Sequence, residues 1–264
     1  KYLESFGPGF FTGGQEKNHE ERTIDNFNLK FDFNWQVNKN HSVKTGFNMT
    51  NYQIDNAWHQ VRNEYFGTAD EATLYAPKIF GDSTLYGDVY EVAPKEMAFY
   101  IQDKMEFNAM VINFGLRYDR FDPNTKLPSD RRNPANQLSL PDSMMSSYPS
   151  AEPQVQISPR FGLAYQLGNA AVLHFSYGHF FQMPSMYSLY QNNSFLIAPN
   201  DYSTTMGNSE LKAEKTVTYE LGLWQELAPG TGLEVSLFYR DIYNLLSTRV
   251  ISTYNQIEYG LYSN

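Results

Sequence analysis

Bulky apolar groups occupy every second position near the start of the chain: Phe27, Leu29, Phe31, Phe33, Trp35 and Val37, with Asn28, Lys30, Asp32, Asn34 and Gln36 between them. A period of two describes a strand with one apolar and one polar face. In a water-soluble protein a second layer would cover the apolar face, and no segment of this chain reads as that layer. The pattern recurs over residues of about 24–37, 43–54, 96–107, 111–121, 156–166, 171–181, 215–226 and 232–243. Short turns (Asn38-Lys39-Asn40, Asn108-Ala109, Leu167-Gly168-Asn169, Ala228 to Gly232) alternate with long connections at about 55–95, 122–154 and 182–213. Strict short-long parity is how a transmembrane barrel separates periplasmic turns from external loops. A Greek-key sandwich has no reason to keep it. The expected fold is therefore all-β, an antiparallel transmembrane β-barrel wall of about eight visible strands. A further strand is expected near Tyr254, and the Gly-rich, charged residues 1–22 are expected to form an external loop.

Composition narrows the class by exclusion. With no cysteine, the chain has no disulfide framework, thiol nucleophile or thiolate metal site. A mean hydropathy of -0.52, without an apolar run near eighteen residues, excludes a membrane-spanning helix but not a barrel, whose strands keep half their residues polar. The 20 Tyr and 19 Phe against 3 Trp suit interfacial girdles, where rings sit at headgroup depth. A net charge of -9 argues against nucleic acid as a partner. Lys1-Tyr2-Leu3-Glu4 carries no initiator Met, basic region or apolar signal core. Tyr262-Ser263-Asn264 is not the aromatic terminus of a complete barrel, so the chain reads as an internal piece of a longer protein.

Strand parity assigns side chains to faces. Arg117, Asp119, Arg160 and Glu220 point inward, where a wet or filled lumen tolerates charge; on the lipid face Arg or Lys at mid-depth costs about 2–4 kcal/mol. Gly115, Gly162, Ala164 and Gly222 share that inward face, and the glycines allow close approach of neighbouring groups. Asp103 breaks the pattern, since parity places it on the lipid face. Either it lies near the periplasmic interface or a bulge turns it inward. In the first long connection Trp58, His59, Tyr65, Phe66, Tyr75 and Tyr86 crowd together, as a ligand-gripping surface or as a cluster that holds the loop folded. No enzyme signature emerges. His174 and His179 are poor co-ligands, His19, His41 and His59 lie in loops or turns, Gly7-Pro8-Gly9 lacks the setting of a phosphate loop, and Asp70-Glu71 carries no burial signal. The expectation is no enzyme, no cofactor and no metal.

Four stretches resemble the TonB-dependent outer-membrane receptors. They are Ala98-Phe99-Tyr100-Ile101-Gln102-Asp103 with Asn113-Phe114-Gly115-Leu116-Arg117-Tyr118-Asp119; Ile157-Ser158-Pro159-Arg160-Phe161-Gly162-Leu163-Ala164-Tyr165; Tyr177-Gly178-His179-Phe180-Phe181-Gln182-Met183-Pro184; and Leu211-Lys212-Ala213-Glu214 running into Tyr219-Glu220-Leu221-Gly222. Their order and spacing match the family, with Ala213 where the family usually has Pro. The resemblance implies a slice of a barrel of about 22 strands. It further implies a bacterial outer-membrane location, lipid around the wall, and a plug domain absent from this chain as a partner of Arg117, Asp119, Arg160 and Glu220. The TonB complex would act through a missing N-terminal region, and a scarce small nutrient (iron chelate, glycan, peptide or cobalamin) would be gripped by Trp58, His59, Tyr65, Tyr75 and Tyr86. Two alternatives stay open: an autonomous eight-stranded barrel acting as adhesin or anchor, and a soluble β-rich binding module. Small inward residues favour a wider barrel over the first; the second requires the chain to stay folded in water without detergent.

Overall fold

The structure, a computed structural model, describes residues 17–82, 84–137, 140–192, 194–197 and 204–264. Its elements in chain order begin with β1 (Asn18–Gln36), β2 (His41–Asn63), β3 (Pro77–Ile79), β4 (Gly87–Val92), β5 (Lys95–Phe107), β6 (Met110–Asp122), β7 (Gln154–Leu167) and β8 (Ala171–Gln182). Next come α1 (Met186–Tyr190), β9 (Thr205–Met206), β10 (Glu214–Ala228), β11 (Thr231–Tyr243), β12 (Ser247–Ser252) and β13 (Glu258–Ser263). The main sheet runs β1-β2-β5-β6-β7-β8-β10-β11, and β3 and β4 pair with β2. Every contact along this path is antiparallel and joins sequence neighbours among the long strands.

Register converts the period of two into two continuous surfaces. Phe31 lies opposite Phe47, Phe47 opposite Phe99, Phe99 opposite Tyr118 and Tyr118 opposite Ile157. Farther round, Leu163, Phe175, Leu221 and Leu237 form a second row, and Phe161, Tyr177, Tyr219 and Tyr239 a third. A slip of one residue in any pair would throw these rows onto the polar face, so the register is fixed by the pattern itself. The apolar surface is nonetheless bare: Phe31 is 61% exposed, Ile101 55% and Leu237 66%. Soluble monomers rarely expose contiguous apolar patches beyond a few hundred Å². A sheet that exposes side chains of eight strands this way is built for hydrocarbon, where paired strands satisfy every backbone polar group internally.

The short turns lie at one end. Gly168 and Gly230 adopt φ of +65° and +80° in two of them, left-handed conformations that cost a side-chain-bearing residue energy. Asp103 stays on the apolar face, because β5 keeps unbroken register with both neighbours and no bulge turns it. It meets His41 Nδ1 at 2.7 Å, at the first residue of β2 beside the turn. Of the two placements that parity left open, the structure has the first: the carboxylate has a partner at the rim of the wall.

The opposite end carries most of the structure that strand alternation does not announce. Strand β2, expected over 43–54, continues to Asn63, and β1, expected from residue 24, begins at Asn18. The reason is pairing above the membrane-spanning zone. β1 flanks this extension on one side (Asn56 opposite Arg22), and β4 flanks it on the other (Asn56 opposite Tyr90). Residues 55–95 are therefore not one loop but the continuation of β2 followed by β3 and β4. The connection at 182–213 contains α1, capped by Ser185, whose Oγ accepts from the Ser188 amide at 3.3 Å. Leu189 and Tyr190 of that helix, with Leu211, pack against Ile54, Tyr90, Val92 and Phe121 on the polar-face side of the wall. Tyr190 Oη donates to Pro123 O at 2.8 Å. Tyr254 is in a turn between β12 and β13, and those two strands with β9 form a separate sheet. Phe195, Ile197, Met206, Tyr259 and Leu261 make its core. The expected loop at 1–22 lies outside the described residues as far as residue 16.

Candidate functional site

Among the described residues, hollows open on the polar face both along the wall and at the mouth. The lower, of about 870 Å³, is lined by Arg117, Arg160, Glu220 and Arg240 among others. Arg117 Nε donates to both carboxylate oxygens of Asp119 at 2.8 and 3.0 Å, two residues along the same strand. Arg160 lies over the Phe180 ring at 4.9 Å. Gly178 sits opposite Arg160 across β7 and β8, which leaves room for that stack. Glu220 faces Ser176 and Phe238 in neighbouring strands. The four inward candidates therefore share one surface. Arg117 and Asp119 are a closed pair, while Arg160 and Glu220 line the open part.

Room for close approach differs from glycine to glycine. A Cβ on Gly162 would meet nothing nearer than 3.7 Å, and on Gly115 or Gly222 nothing nearer than 3.4 Å. The tight positions are Gly46, under the Tyr100 ring that bonds to Asp32, and Gly207, against the backbone of residues 189–191.

The upper hollow, of about 850 Å³, lies where β1, the extension of β2, residues 85–88 at the start of β4 and the returning segment after α1 converge. Even-numbered residues of β2 face it: Asn56, Trp58, Gln60 and Arg62. Arg22 Nε donates to Asn56 Oδ1 at 3.0 Å, and its guanidinium meets Glu20 at 3.1 Å. Asp88 accepts from the Asn192 amide at 3.1 and 3.0 Å; burial pushes its carboxyl above the usual carboxylate range, and that amide bond opposes the shift. The Arg62 guanidinium lies against the Phe66 and Tyr86 rings, 4.2 and 4.5 Å from their centroids, and the two rings stand edge to face at 84°.

Of the external candidates, Trp58 and Tyr86 come together in this hollow. His59, next along β2, faces the other way, and its Nε2 is bonded to Asp82 at 3.1 Å. Tyr65 and Tyr75 lie on the segment between β2 and β3 and line neither hollow. Sequence alone did not single out Arg22, Arg62, Asp88 or Gln191. The available signal was weak: Asn56, Gln60 and Arg62 continue the polar parity of β2 with Ala57 and Val61 between them, but Trp58 on the polar side and His59 on the other break the alternation. No group of three or more His, Cys, Asp or Glu that could hold a metal ion occurs among the described residues.

Residues 2–264 match the family described as TonB dependent receptor-like, beta-barrel, and the chain belongs to that family. This chain is a segment of a TonB-dependent receptor barrel, and such barrels stand in the outer membrane. Among solved structures, the ferric enterobactin receptor of Pseudomonas aeruginosa aligns with TM-score 0.59 at 13% identity over 92% of this chain and 32% of its own. The Escherichia coli outer membrane transporter YddB aligns with TM-score 0.58 at 16% identity over 93% and 29%. The Neisseria meningitidis FrpB iron transporter aligns with TM-score 0.53 at 16% identity over 91% and 31%. At these identities the likeness is one of fold, and the chain spans about a third of the length of these structures. No curated protein matches the sequence.

Proposed function

We propose that this wall belongs to a transporter that captures a scarce nutrient from outside the cell and passes it through the barrel lumen when the TonB complex moves a plug domain. The observation that carries this reading is the inward fold of the third long connection. Leu189, Tyr190 and Leu211 anchor it to the polar face, and the mouth hollow sits beside it. An anchor or adhesin needs no such hollow. A small closed barrel is further disfavoured because β1 and β11 are the two ends of the sheet order and do not pair with each other. In this reading Arg160 and Glu220 meet the plug or the passing nutrient, and the Arg117–Asp119 pair braces the wall. Trp58 and Tyr86 contact the nutrient at the mouth. The neighbours' names speak of iron, copper and ferric enterobactin, a spread too wide to carry one substrate over.

The test compares nutrient depletion from a defined medium by cells carrying the full-length receptor, lacking it, or carrying it with TonB inactivated. Loss of the same nutrient's uptake in both deficient strains is the expected result. Unchanged uptake in both, with altered adhesion or envelope integrity, would refute transport.

A further inference from the structure

Within the mouth hollow the charges are matched, with one exception. Glu20 answers Arg22, and Asp88 is held by the Asn192 amide. Close by, Glu64 is bound by Lys78 at 3.0 Å, and Glu71 accepts from the Gly67 amide at 3.0 Å. Arg62 has no carboxylate partner among the described residues, and its Nε is buried without an acceptor. The Phe66 and Tyr86 rings, set at 84° to each other, hold the head group by cation–π contact but do not neutralise its charge. On the returning segment Gln191 Oε1 is likewise buried without a donor. Both residues line the same hollow, together with Trp58, Tyr86 and Tyr187.

A guanidinium without a carboxylate partner is matched by a planar oxyanion, which can accept two parallel N–H bonds. An unmet amide oxygen asks for a hydroxyl or N–H on the same molecule. A hollow of about 850 Å³ is the size of a small-ligand site. We propose that the mouth hollow is the seat of a carboxylate carried on a small organic ligand: the acid lies in the fork of Arg62, a hydroxyl or N–H meets Gln191, and Trp58 lines the ligand's path. This rests on the transport reading and names the chemical class it selects.

Calorimetric titration of the full-length receptor in detergent tests it with two pairs of probes: trigalacturonate against its methyl ester, and triglutamate against triglutamine, both peptides N-acetylated and C-terminally amidated. The expected result is saturable binding of at least one acid, with its neutral counterpart roughly 10- to 100-fold weaker, the range of one charge-assisted pair. Arg62→Gln removes that preference, while Arg62→Lys keeps the charge but not the planar fork and falls between. Whether the saccharide or the peptide binds identifies the scaffold. Binding of neither acid, equal binding of acid and neutral probe, or an acid preference untouched in Arg62→Gln overturns the proposal. A receptor that ignores Arg62 yet imports its nutrient only with TonB keeps the transport reading and loses this one; Arg62-dependent acid binding without TonB-dependent uptake does the reverse.

Discussion

Gly207→Ala isolates the contact that seats the inward-folded connection. A Cβ there would come within 2.7 Å of Gln191 N, 2.8 Å of Leu189 C and 2.8 Å of Tyr190 N. All three are backbone atoms of or beside α1, so no flexible side chain can give way. Optimal carbon contacts lie near 3.5–4.0 Å, so the two segments must separate by about 1 Å. That separation strains the bonds that tie them, Gly207 N to Gln191 O at 2.7 Å and Asn208 N to Ser188 O at 2.9 Å. Overpacking costs about 1–3 kcal/mol and a weakened hydrogen bond about 1 kcal/mol more, so roughly 2–4 kcal/mol of local stability is lost. Amide hydrogen exchange reads this directly: protection at Gly207 and Asn208 falls about 30- to 1,000-fold, at roughly tenfold per 1.4 kcal/mol. Gly162→Ala, where the added carbon meets nothing nearer than 3.7 Å, leaves exchange unchanged. Unchanged protection in Gly207→Ala would refute the close packing of this segment on α1.

Leu221→Arg, on the apolar face between Phe175 and Leu237, should lower folding stability in lipid vesicles by about 2–4 kcal/mol, whereas Ser176→Arg on the polar face should cost under about 1 kcal/mol, both read by denaturant titration. Asn136→Ala should loosen the second long connection by about 2–4 kcal/mol. Asn136 is 0% exposed and its Oδ1 accepts from Ser146 N at 3.0 Å and Ser146 Oγ at 2.6 Å, so both donors lose their acceptor; limited proteolysis within residues 123–153 checks it. Burial pushes the phenols of Tyr148 and Tyr259 up to about 12. Their protonated forms are thus favoured in the folded state, and the stability this contributes is complete below pH 10 and lost as pH rises from about 10 through 12. Alkaline titration should loosen the external loops in that window, and Tyr148→Phe should remove part of the dependence.

The wall was legible because its physics is local. Each strand carries its own alternation, and one buried or lipid-facing side fixes the register of all its neighbours, so Phe47, Phe99 and Tyr118 could be assigned to one face before any pairing was known. The mouth was not legible, because its contacts are distant in sequence and lack a period. Tyr259 Oη donates to Arg131 O, 128 residues away, and the Gln191 that shares a hollow with Arg62 belongs to a segment that carries neither alternation nor a long helix. Apolar residues scattered through 183–213 read as loop in isolation. They become a core only when Ile54, Tyr90 and Phe121 of three other strands stand opposite them. Gly207 shows the same limit: nothing in its neighbours reveals that the backbone of α1 lies against it.

On β6, Phe114, Leu116 and Tyr118 share the apolar face that meets lipid, and Asn113, Gly115 and Arg117 the polar face that meets the lumen. This chain has no cysteine, so single cysteines at positions 112–118 of β6 can each carry a nitroxide label in the full-length receptor reconstituted in vesicles, once any cysteine outside the chain is replaced by serine. Collision rates with oxygen, which partitions into hydrocarbon, and with a water-soluble nickel chelate report which solvent each site meets. Oxygen access should peak at the even positions and nickel access at the odd ones, out of phase along the strand. Nickel access at both sets, or a phase reversed between them, would contradict a lipid-facing apolar wall.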